Sequence, residues 1–162
     1  IFGADFPRGM KKLCRKADLL VPNITEACLL LDRPYEAGPY DVSFIEELLD
    51  GLAAFGPKQV VLTGVTFDNT HLGAASLDTA TGKIDYSFSR CIDGYYHGTG
   101  DVFASTLVAG LLTGLGLNKA SRLAVDFTVK SILRTKEAGT DVRFGVNFEA
   151  GLRELANLLQ GS

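Results

Sequence analysis

The stretch GTGDVFASTLVAGLL, residues 98–112, joins a glycine-rich turn to an apolar run long enough for a helix. Glycine carries no Cβ, so Gly98 and Gly100 allow a tight backbone turn and a close approach to a ligand. The helix predicted over residues 102–115 would direct free N–H groups and the positive end of its dipole at that turn. The stretch therefore predicts an anion-binding turn with an acid, Asp101, beside it.

Asp101 also has an ordinary structural explanation, because aspartate is a favoured capping residue at the start of a helix. A Gly-x-Gly-Asp pattern standing alone is weak evidence of function. It is not a P-loop, since no Lys-Ser/Thr pair follows it, and it is not a dinucleotide-binding fingerprint. The turn by itself leaves a capping role and a phosphate-binding role open.

Two buried strands are predicted upstream of the turn. DLLV, residues 18–21, stops at Pro22, because the residue before a proline is kept out of the helical region. QVVLT, residues 59–63, is β-branched and apolar on both faces, which is typical of a parallel sheet. Asn23 follows the first strand and Thr63 ends the second, at the sheet edge where open α/β folds bind ligands.

The remaining elements are helices and one hairpin. Ser43 and Glu46 form the Ser-x-x-Glu pattern of a helix-opening capping box. This order of elements favours an α/β fold. Since two or three parallel strands make an incomplete sheet, we expect the C-terminal part of a larger domain. The predicted helices cover residues 7–17, 43–55, 118–135 and 147–159, and the hairpin strands cover residues 71–77 and 83–90 around the turn DTATG.

Composition bounds the class of protein. A chain of 162 residues with 46% apolar and 22% charged residues fits one compact domain. The net charge of −3 gives no general attraction for nucleic acid or anionic lipid. No window reaches the roughly 18 to 20 consecutive apolar residues of a membrane helix. We therefore expect neither a nucleic-acid partner nor a membrane partner.

Cysteine and histidine usage narrows the expected environment. Cys14, Cys28 and Cys91 are odd in number and form no Cys-x-x-Cys pair, which favours reduced, mostly buried thiols over a disulfide framework or a zinc site. His71 and His97 are the only histidines, so a histidine-rich metal site is excluded. This usage predicts a cytoplasmic protein.

The stretch GTGDVFASTLVAGLL resembles the signature of pyridoxal kinases in the ribokinase-like superfamily, and the resemblance runs from CRKADLLVPNITEA to the end of the chain. It implies a three-layer αβα fold with a mostly parallel sheet, incomplete at its N-terminal side. Residues 1–162 would then be the C-terminal, ATP-binding and catalytic portion of a single domain. By the same resemblance, the N–H groups around Gly98, Thr99 and Gly100 form the anion hole. Asp101 would be the base that takes the proton from the substrate hydroxyl as it attacks the γ-phosphate.

Two further positions are similar to superfamily motifs. Asn23 and Glu26 match an Asn-x-x-Glu motif that organises Mg²⁺ and its water shell, and hard cations prefer such oxygen ligands. Their alternative is a helix-capping Asn with a first-turn Glu. Thr63 matches a hydroxyl residue that contacts nucleotide phosphates. Gly64 and Val21 depart from the pattern, since relatives often carry polar residues there, so two side-chain contacts are expected to be missing.

The aromatic residues beside the turn leave alternatives open. His97 is either an acid/base group or a neutral loop histidine near the nucleotide. Tyr95 and Tyr96 either flank an adenine ring or pack against the protein. The helix over residues 118–135 is expected to wall the adenine pocket.

The resemblance implies ATP-dependent phosphorylation of the 5′-hydroxymethyl group of pyridoxal, pyridoxine or pyridoxamine, a step of vitamin B6 salvage. ATP would be the co-substrate, with Mg²⁺ and a monovalent cation as further cofactors, and the protein would form a homodimer. Sugar kinases usually carry Gly-Ala-Gly-Asp, and pyrimidine kinases usually end the motif in Cys, so GTGDVFAS favours a pyridoxal kinase. The alternatives are a hydroxymethylpyrimidine or sugar kinase and a non-catalytic nucleotide-binding protein. The intact Asp101 argues against the last of these.

Overall fold

A four-stranded sheet and six α-helices make up the part of the chain that the computed structural model describes, residues 6–161. The helices are α1 (Phe6–Cys14), α2 (Ile24–Leu30), α3 (Val42–Ala53), α4 (Thr99–Leu112), α5 (Leu117–Ala138) and α6 (Leu152–Gln160). The strands are β1 (Leu19–Leu20), β2 (Gln59–Val65), β3 (His71–Asp78) and β4 (Lys83–Arg90), and short 3₁₀ turns cover Val142–Phe144 and Glu149–Gly151. The chain divides into two compact units, one ending at Tyr86 and the other beginning at Ser87.

The first unit is organised around the sheet, whose strands follow the order β1-β2-β3-β4. β1 and β2 are parallel, with Leu19 opposite Gln59, as the two buried apolar runs predict. β2 and β3 are antiparallel, and a bulge interrupts their register between Thr63 and Val65. The predicted α/β fold class is therefore confirmed, and the sheet that the described residues form is a mixed one.

The core of the first unit lies between α3 and the sheet. Apolar residues recur along α3 at the i, i+3, i+4, i+7 spacing of a helix face, and β2 carries a continuous apolar run. Both runs are fully buried, which explains why each predicts its element so clearly. The buried residues are Ile45, Leu48, Leu49 and Leu52 of α3, and Val60, Val61, Leu62 and Val65 of β2.

The hairpin between β3 and β4 is closed by the predicted turn. The Asp78 carboxylate accepts hydrogen bonds from the Ala80 and Thr81 N–H groups at 3.1 and 3.0 Å. Gly82 adopts a φ of 69° and donates its N–H to the Asp78 carbonyl at 2.8 Å. Aspartate and glycine thus supply the side-chain acceptor and the left-handed residue that a tight turn needs.

The predicted capping box at Ser43 and Glu46 is wrong. α3 begins one residue earlier than predicted, with Asp41 at the N-cap, so Ser43 lies inside the first turn. The Glu46 side chain instead accepts a hydrogen bond from the Tyr86 hydroxyl of β4 at 3.5 Å. The shift of the N-cap to Asp41 therefore removes Ser43 from the capping position.

Several helix and strand boundaries also differ from the predicted ones. α1 ends at Cys14, before the predicted residue 17, and α5 extends to Ala138. β2 continues through Gly64 to Val65, because it remains paired with β3 beyond the bulge. The C-terminal helix begins at Leu152, after a 3₁₀ turn.

The second unit consists mainly of α4, α5 and the segment that follows them. α4 and α5 pack closely at Gly110, where an added Cβ would lie 3.1 Å from the Ala120 Cβ. A hydrophobic cluster then joins α4, α5, the connecting segment and α6. Its buried members are Val102, Phe127, Val146 and Leu155, with Tyr96, Leu123, Ile132, Phe148 and Leu159 packed against them.

The cysteines are free thiols, of which Cys14 and Cys28 are buried and Cys91 is exposed. Burial raises the pKa of the Cys14 and Cys28 thiols. Among the described helices, none combines the length and apolar character that crossing a bilayer would require.

Replacing Leu62 with alanine should lower the free energy of unfolding by about 2–5 kcal/mol, because the side chain is fully buried and its removal leaves a cavity. Leu72→Ala is the matched control in β3, since Leu72 is 45% exposed, and should cost about 0.5 kcal/mol. Urea unfolding followed by circular dichroism measures both values. Equal losses in the two variants would contradict the assigned core.

Candidate active site

The glycine turn leads directly into α4, which begins at Thr99, three residues before the predicted start. Gly98 is the N-cap, with φ 77° and ψ 0°, and its carbonyl accepts the first helical hydrogen bond from the Val102 N–H at 3.1 Å. The N–H groups of Thr99, Gly100 and Asp101 therefore precede the helical ladder. They are the groups that an anion at this helix end would meet.

The two glycines of the turn have different structural roles. Gly98 lies in the left-handed region, where residues with a Cβ are strained. Gly100 is helical, and a Cβ built on it would meet no atom within 4 Å. The prediction that both glycines shape the turn is therefore correct only for Gly98, while Gly100 leaves open space in front of the helix end.

Asp101 occupies the third position of α4 and is exposed. Its carboxylate accepts no hydrogen bond from any other residue between 6 and 161. Since Gly98 is the N-cap, any stabilisation of the helix by Asp101 comes from its charge near the positive end of the dipole. The carboxylate is therefore open to a ligand in the described structure.

The aromatic residues before the turn separate into a packed one and an exposed one. Tyr96 packs against the hydrophobic cluster and donates its hydroxyl proton to the Asp93 carbonyl at 3.2 Å, so the packing alternative holds for it. Tyr95 is 77% exposed, and its ring meets the His97 ring edge-on at 4.9 Å. His97 itself is exposed, and its acid/base role stays a prediction.

In the first unit, Asn23 and Glu26 form a complete capping box at the start of α2. The Asn23 Oδ1 accepts a hydrogen bond from the Glu26 N–H at 2.9 Å, and the Glu26 Oε2 accepts one from the Asn23 N–H at 3.0 Å. The structure thus shows the helix-capping alternative directly. A carboxylate has about four acceptor sites, so one hydrogen bond leaves Glu26 able to bind other groups.

Thr63 lies beside Asn23, as expected for the carboxyl ends of neighbouring parallel strands. The two residues form a parallel β-bridge, and the Thr63 N–H donates to the Pro22 carbonyl at 2.9 Å. Gly64 follows with a φ of 78° at the bulge. Glycine adopts this left-handed backbone conformation without the strain that a Cβ would cause.

The predicted site residues therefore form two groups, each within one unit. Asn23, Glu26 and Thr63 cluster at the ends of β1 and β2, and residues 98–101 are consecutive at the start of α4. Among residues 6–161 there is no cluster of three or more His, Cys, Asp or Glu side chains arranged for a metal.

The sequence interpretation missed the segment between α5 and α6. A Cβ built on Gly98 would lie 3.8 Å from the Gly145 Cα, and one built on Gly145 would lie 3.8 Å from the His97 carbonyl oxygen. The segment therefore touches the glycine turn. The available signal was its glycines, Gly139 and Gly145, which bracket a short stretch between two predicted helices.

The exposed face of α5 carries an open groove along α6. Its charges are largely paired: Arg122 binds Asp126, and Lys130 binds Glu154, each at 2.5 Å. The expected adenine wall over residues 118–135 stays a prediction. The groove is lined by Lys119, Arg122, Leu123, Asp126, Val129, Lys130 and Leu158.

A protein-family model matches most of the sequence. The family described as phosphomethylpyrimidine kinase matches residues 5–145, a range that contains every candidate site residue of both units. A search of the curated proteins gave no match.

Solved kinase structures share the fold. Pyridoxal kinase from Lactobacillus plantarum is 31% identical with a TM-score of 0.85, over 97% of this chain and 55% of that one. A Bacteroides thetaiotaomicron protein assigned as a phosphomethylpyrimidine kinase, solved with pyridoxal, is 28% identical with a TM-score of 0.81, over 96% and 55%. Pyridoxal kinase from Leishmania donovani, in complex with ADP and pyridoxamine, shares the fold at 24% identity and a TM-score of 0.81, over 95% and 53%. The chain thus spans just over half the length of these proteins.

Alanine substitutions should separate the two turn glycines. Gly98→Ala should cost about 1–2 kcal/mol of unfolding free energy, because it places a Cβ in the left-handed region. Gly100→Ala should be neutral or stabilise by up to about 1 kcal/mol, since the position is helical and the new methyl group meets nothing. Thermal unfolding of both variants tests the assignment, and a destabilised Gly100→Ala would contradict it.

Proposed function

The chain belongs to the phosphomethylpyrimidine kinase family, and we propose that it is the catalytic, ATP-binding portion of a vitamin B6 kinase with a single ribokinase-like domain. The reaction transfers the γ-phosphate of ATP to the 5′-hydroxymethyl group of pyridoxal, pyridoxine or pyridoxamine. The observation that carries this proposal is the Asp101 carboxylate in the first turn of α4, which is exposed and accepts no hydrogen bond from the described residues 6–161. It lies beside three N–H groups that precede the helical ladder.

The first turn of α4 supplies the groups that phosphoryl transfer requires. The N–H groups of Thr99, Gly100 and Asp101 bind the oxygens of the transferring phosphate, and Gly100 leaves room for them. Asp101 accepts the proton of the substrate hydroxyl while the hydroxyl oxygen bonds to the γ-phosphorus. The bond between the γ-phosphorus and the bridging oxygen breaks, and ADP leaves. Positioning and charge stabilisation therefore come from the backbone, and proton acceptance from one side chain.

The first unit contributes the proposed metal and phosphate contacts. Mg²⁺ in kinases keeps several waters and binds one or two carboxylates together with substrate phosphates. Glu26 fits this pattern, because it is exposed and its capping bond uses one oxygen. The Asn23 backbone N–H holds that carboxylate in place. Thr63 has its hydroxyl at the adjacent strand end, where it donates to the Pro22 carbonyl at 3.5 Å. A bound Mg²⁺ would neutralise phosphate charge.

Two acceptor alcohols compete in this proposal, a vitamin B6 compound and a hydroxymethylpyrimidine. Asp101 stands where pyrimidine kinases usually carry Cys, which favours vitamin B6. Two of the solved relatives at 28–31% identity point the same way, one being a pyridoxal kinase and the other having been solved with pyridoxal. The second candidate is a hydroxymethylpyrimidine kinase, which the description of the matching family favours. Initial rates with pyridoxal, a hydroxymethylpyrimidine and a sugar as acceptors separate these functions, and a non-catalytic nucleotide-binding protein would bind ATP without turnover of any acceptor.

Asp101→Asn should lower kcat for pyridoxal phosphorylation by about 10²–10⁴-fold, because asparagine cannot accept the hydroxyl proton. ATP binding, measured by calorimetry, should stay near normal. Asp50→Asn is the control, since Asp50 is an exposed carboxylate on α3 that belongs to neither group of site residues, and it should keep full activity. Retention of most of the activity by Asp101→Asn would refute the assigned base.

Glu26→Gln should test the metal role separately from the capping role. Glutamine at this position preserves the capping box, so the unfolding free energy should change little. The Mg²⁺ concentration needed for half-maximal activity should rise about 10- to 100-fold, because a group that orients the ion and its waters is lost. Calorimetric binding of ADP with and without Mg²⁺ gives a second readout.

Glu137→Gln is the matched control, as Glu137 is an exposed glutamate on α5. An unchanged Mg²⁺ dependence in Glu26→Gln would mean that Asn23 and Glu26 serve only to cap α2.

A further inference from the structure

The segment between α5 and α6 meets the glycine turn backbone to backbone. Gly98 and Gly145 face each other, and a Cβ built on Gly98 would lie 3.8 Å from the Gly145 Cα. Both residues have positive φ angles, 77° and 92°. Because neither carries a side chain, no other group separates the two backbones. The residue next to Gly145 is therefore held close to the start of α4.

Hydrogen bonds and packing fix this segment on its C-terminal side. Val146 is buried in the hydrophobic cluster with Val102, the residue that follows Asp101. The Asn147 N–H donates to the Thr135 Oγ1 at 2.7 Å, and the Arg134 Nε donates to the Asn147 carbonyl at 3.0 Å. The backbone after Gly145 is thus tied both to α5 and to the cluster beneath α4.

An ion pair orders the N-terminal side of the same segment. The Asp141 carboxylate accepts from the Arg143 backbone N–H at 3.0 Å, which caps the 3₁₀ turn, and from the Arg143 Nε and Nη2 at 3.0 and 2.6 Å. The Arg143 guanidinium lowers the pKa of the Asp141 carboxyl. Phe144 therefore ends a capped 3₁₀ turn and is followed by a segment whose backbone is held by hydrogen bonds and packing.

Phe144 lies between these two fixed stretches of backbone. Its side chain is 90% exposed, the highest value among the large hydrophobic residues of the described chain. A single exposed apolar residue is ordinary on protein surfaces. Phe144 differs because its backbone is fixed on both sides and lies one residue from the contact with Gly98. An aromatic ring at a fixed position beside a phosphate-binding turn suits a nucleotide base, since bases stack on such rings.

We propose that Phe144 is the stacking platform for the base of the nucleotide whose phosphates are held at the start of α4. This inference rests on the proposed function and adds to it the residue that binds the base. Tyr95 is the rival platform, because it is also exposed and precedes the same turn. Its ring, however, is already in edge-on contact with His97. Both faces of the Phe144 ring are accessible for stacking, since the side chain is 90% exposed.

The chain contains no tryptophan, so Phe144→Trp creates a single fluorescent reporter at this position. ADP should quench its emission, whereas tripolyphosphate, which has no base, should bind without quenching it. Leu112→Trp is the matched control, because Leu112 is 82% exposed at the far end of α4, and its emission should respond to neither ligand. Both variants are made in the 162-residue chain.

Phe144→Ala should weaken ADP binding about tenfold and leave tripolyphosphate binding unchanged, because only the stacking contact is lost. Phe144→Tyr should restore ADP binding, since it keeps the ring. Calorimetry measures the affinities, and an unchanged thermal unfolding midpoint shows that the variants are folded.

These experiments distinguish a failure of the Phe144 proposal from a failure of the proposed function. If the wild-type chain binds ADP but Phe144→Ala binds it equally well and Phe144→Trp is not quenched, Phe144 is not the platform and the kinase proposal stands. A loss of ADP affinity in Tyr95→Ala alone would assign the base to Tyr95. If the wild-type chain binds neither ADP nor tripolyphosphate, the proposed function fails and this inference fails with it.

Discussion

The left-handed backbone of Gly98 is the constraint on which the candidate site depends. It turns the chain into α4 so that the Gly98 carbonyl receives the Val102 N–H, and the three preceding N–H groups remain outside the helical ladder. It also places Asp101 in the first turn and not in the loop before it. The same residue is also next to Gly145, whose Cα would lie 3.8 Å from a Cβ built on Gly98. One backbone conformation therefore positions both the proposed anion-binding groups and the carboxylate.

The capping box at α2 is compatible with the metal-binding role proposed for the same two residues, because it occupies only part of their acceptor capacity. The Asn23 Oδ1 and the Glu26 Oε2 each accept one backbone hydrogen bond, and such caps stabilise a helix by about 1 kcal/mol. These bonds also fix the direction of the carboxylate at the end of β1. A carboxylate that is already oriented loses less side-chain entropy when it organises a hydrated cation. Capping and metal binding, which the sequence presents as alternatives, are therefore compatible.

How far the sequence predicts this structure depends on the range of the interactions involved. α3, α5 and β2 follow from local apolar patterns, and the proximity of Asn23 and Thr63 follows from the general geometry of parallel strands. The start of α4 was placed too late because Gly98 and Gly100 both suggest a turn, although only Gly98 has a left-handed backbone. The capping box at Ser43 fails because Asp41 takes the N-cap position two residues earlier. The contact between Gly98 and Gly145 joins residues that are distant along the chain, which no local pattern encodes.

In the second unit, the residues that stabilise the fold alternate with those assigned to chemistry. Asp101 directly precedes Val102, and Phe144 lies two residues before Val146, so each exposed side chain is within two residues of a buried member of the same hydrophobic cluster. Burial of Val102 and Val146 fixes the backbone, while the neighbouring side chains remain free to contact ligands. The cluster therefore supports both the carboxylate proposed as the catalytic base and the proposed stacking platform, although none of its buried members needs to touch a ligand. Preorganisation of this kind reduces the entropy that binding must otherwise overcome, which explains why functional groups with few contacts of their own can still hold fixed positions.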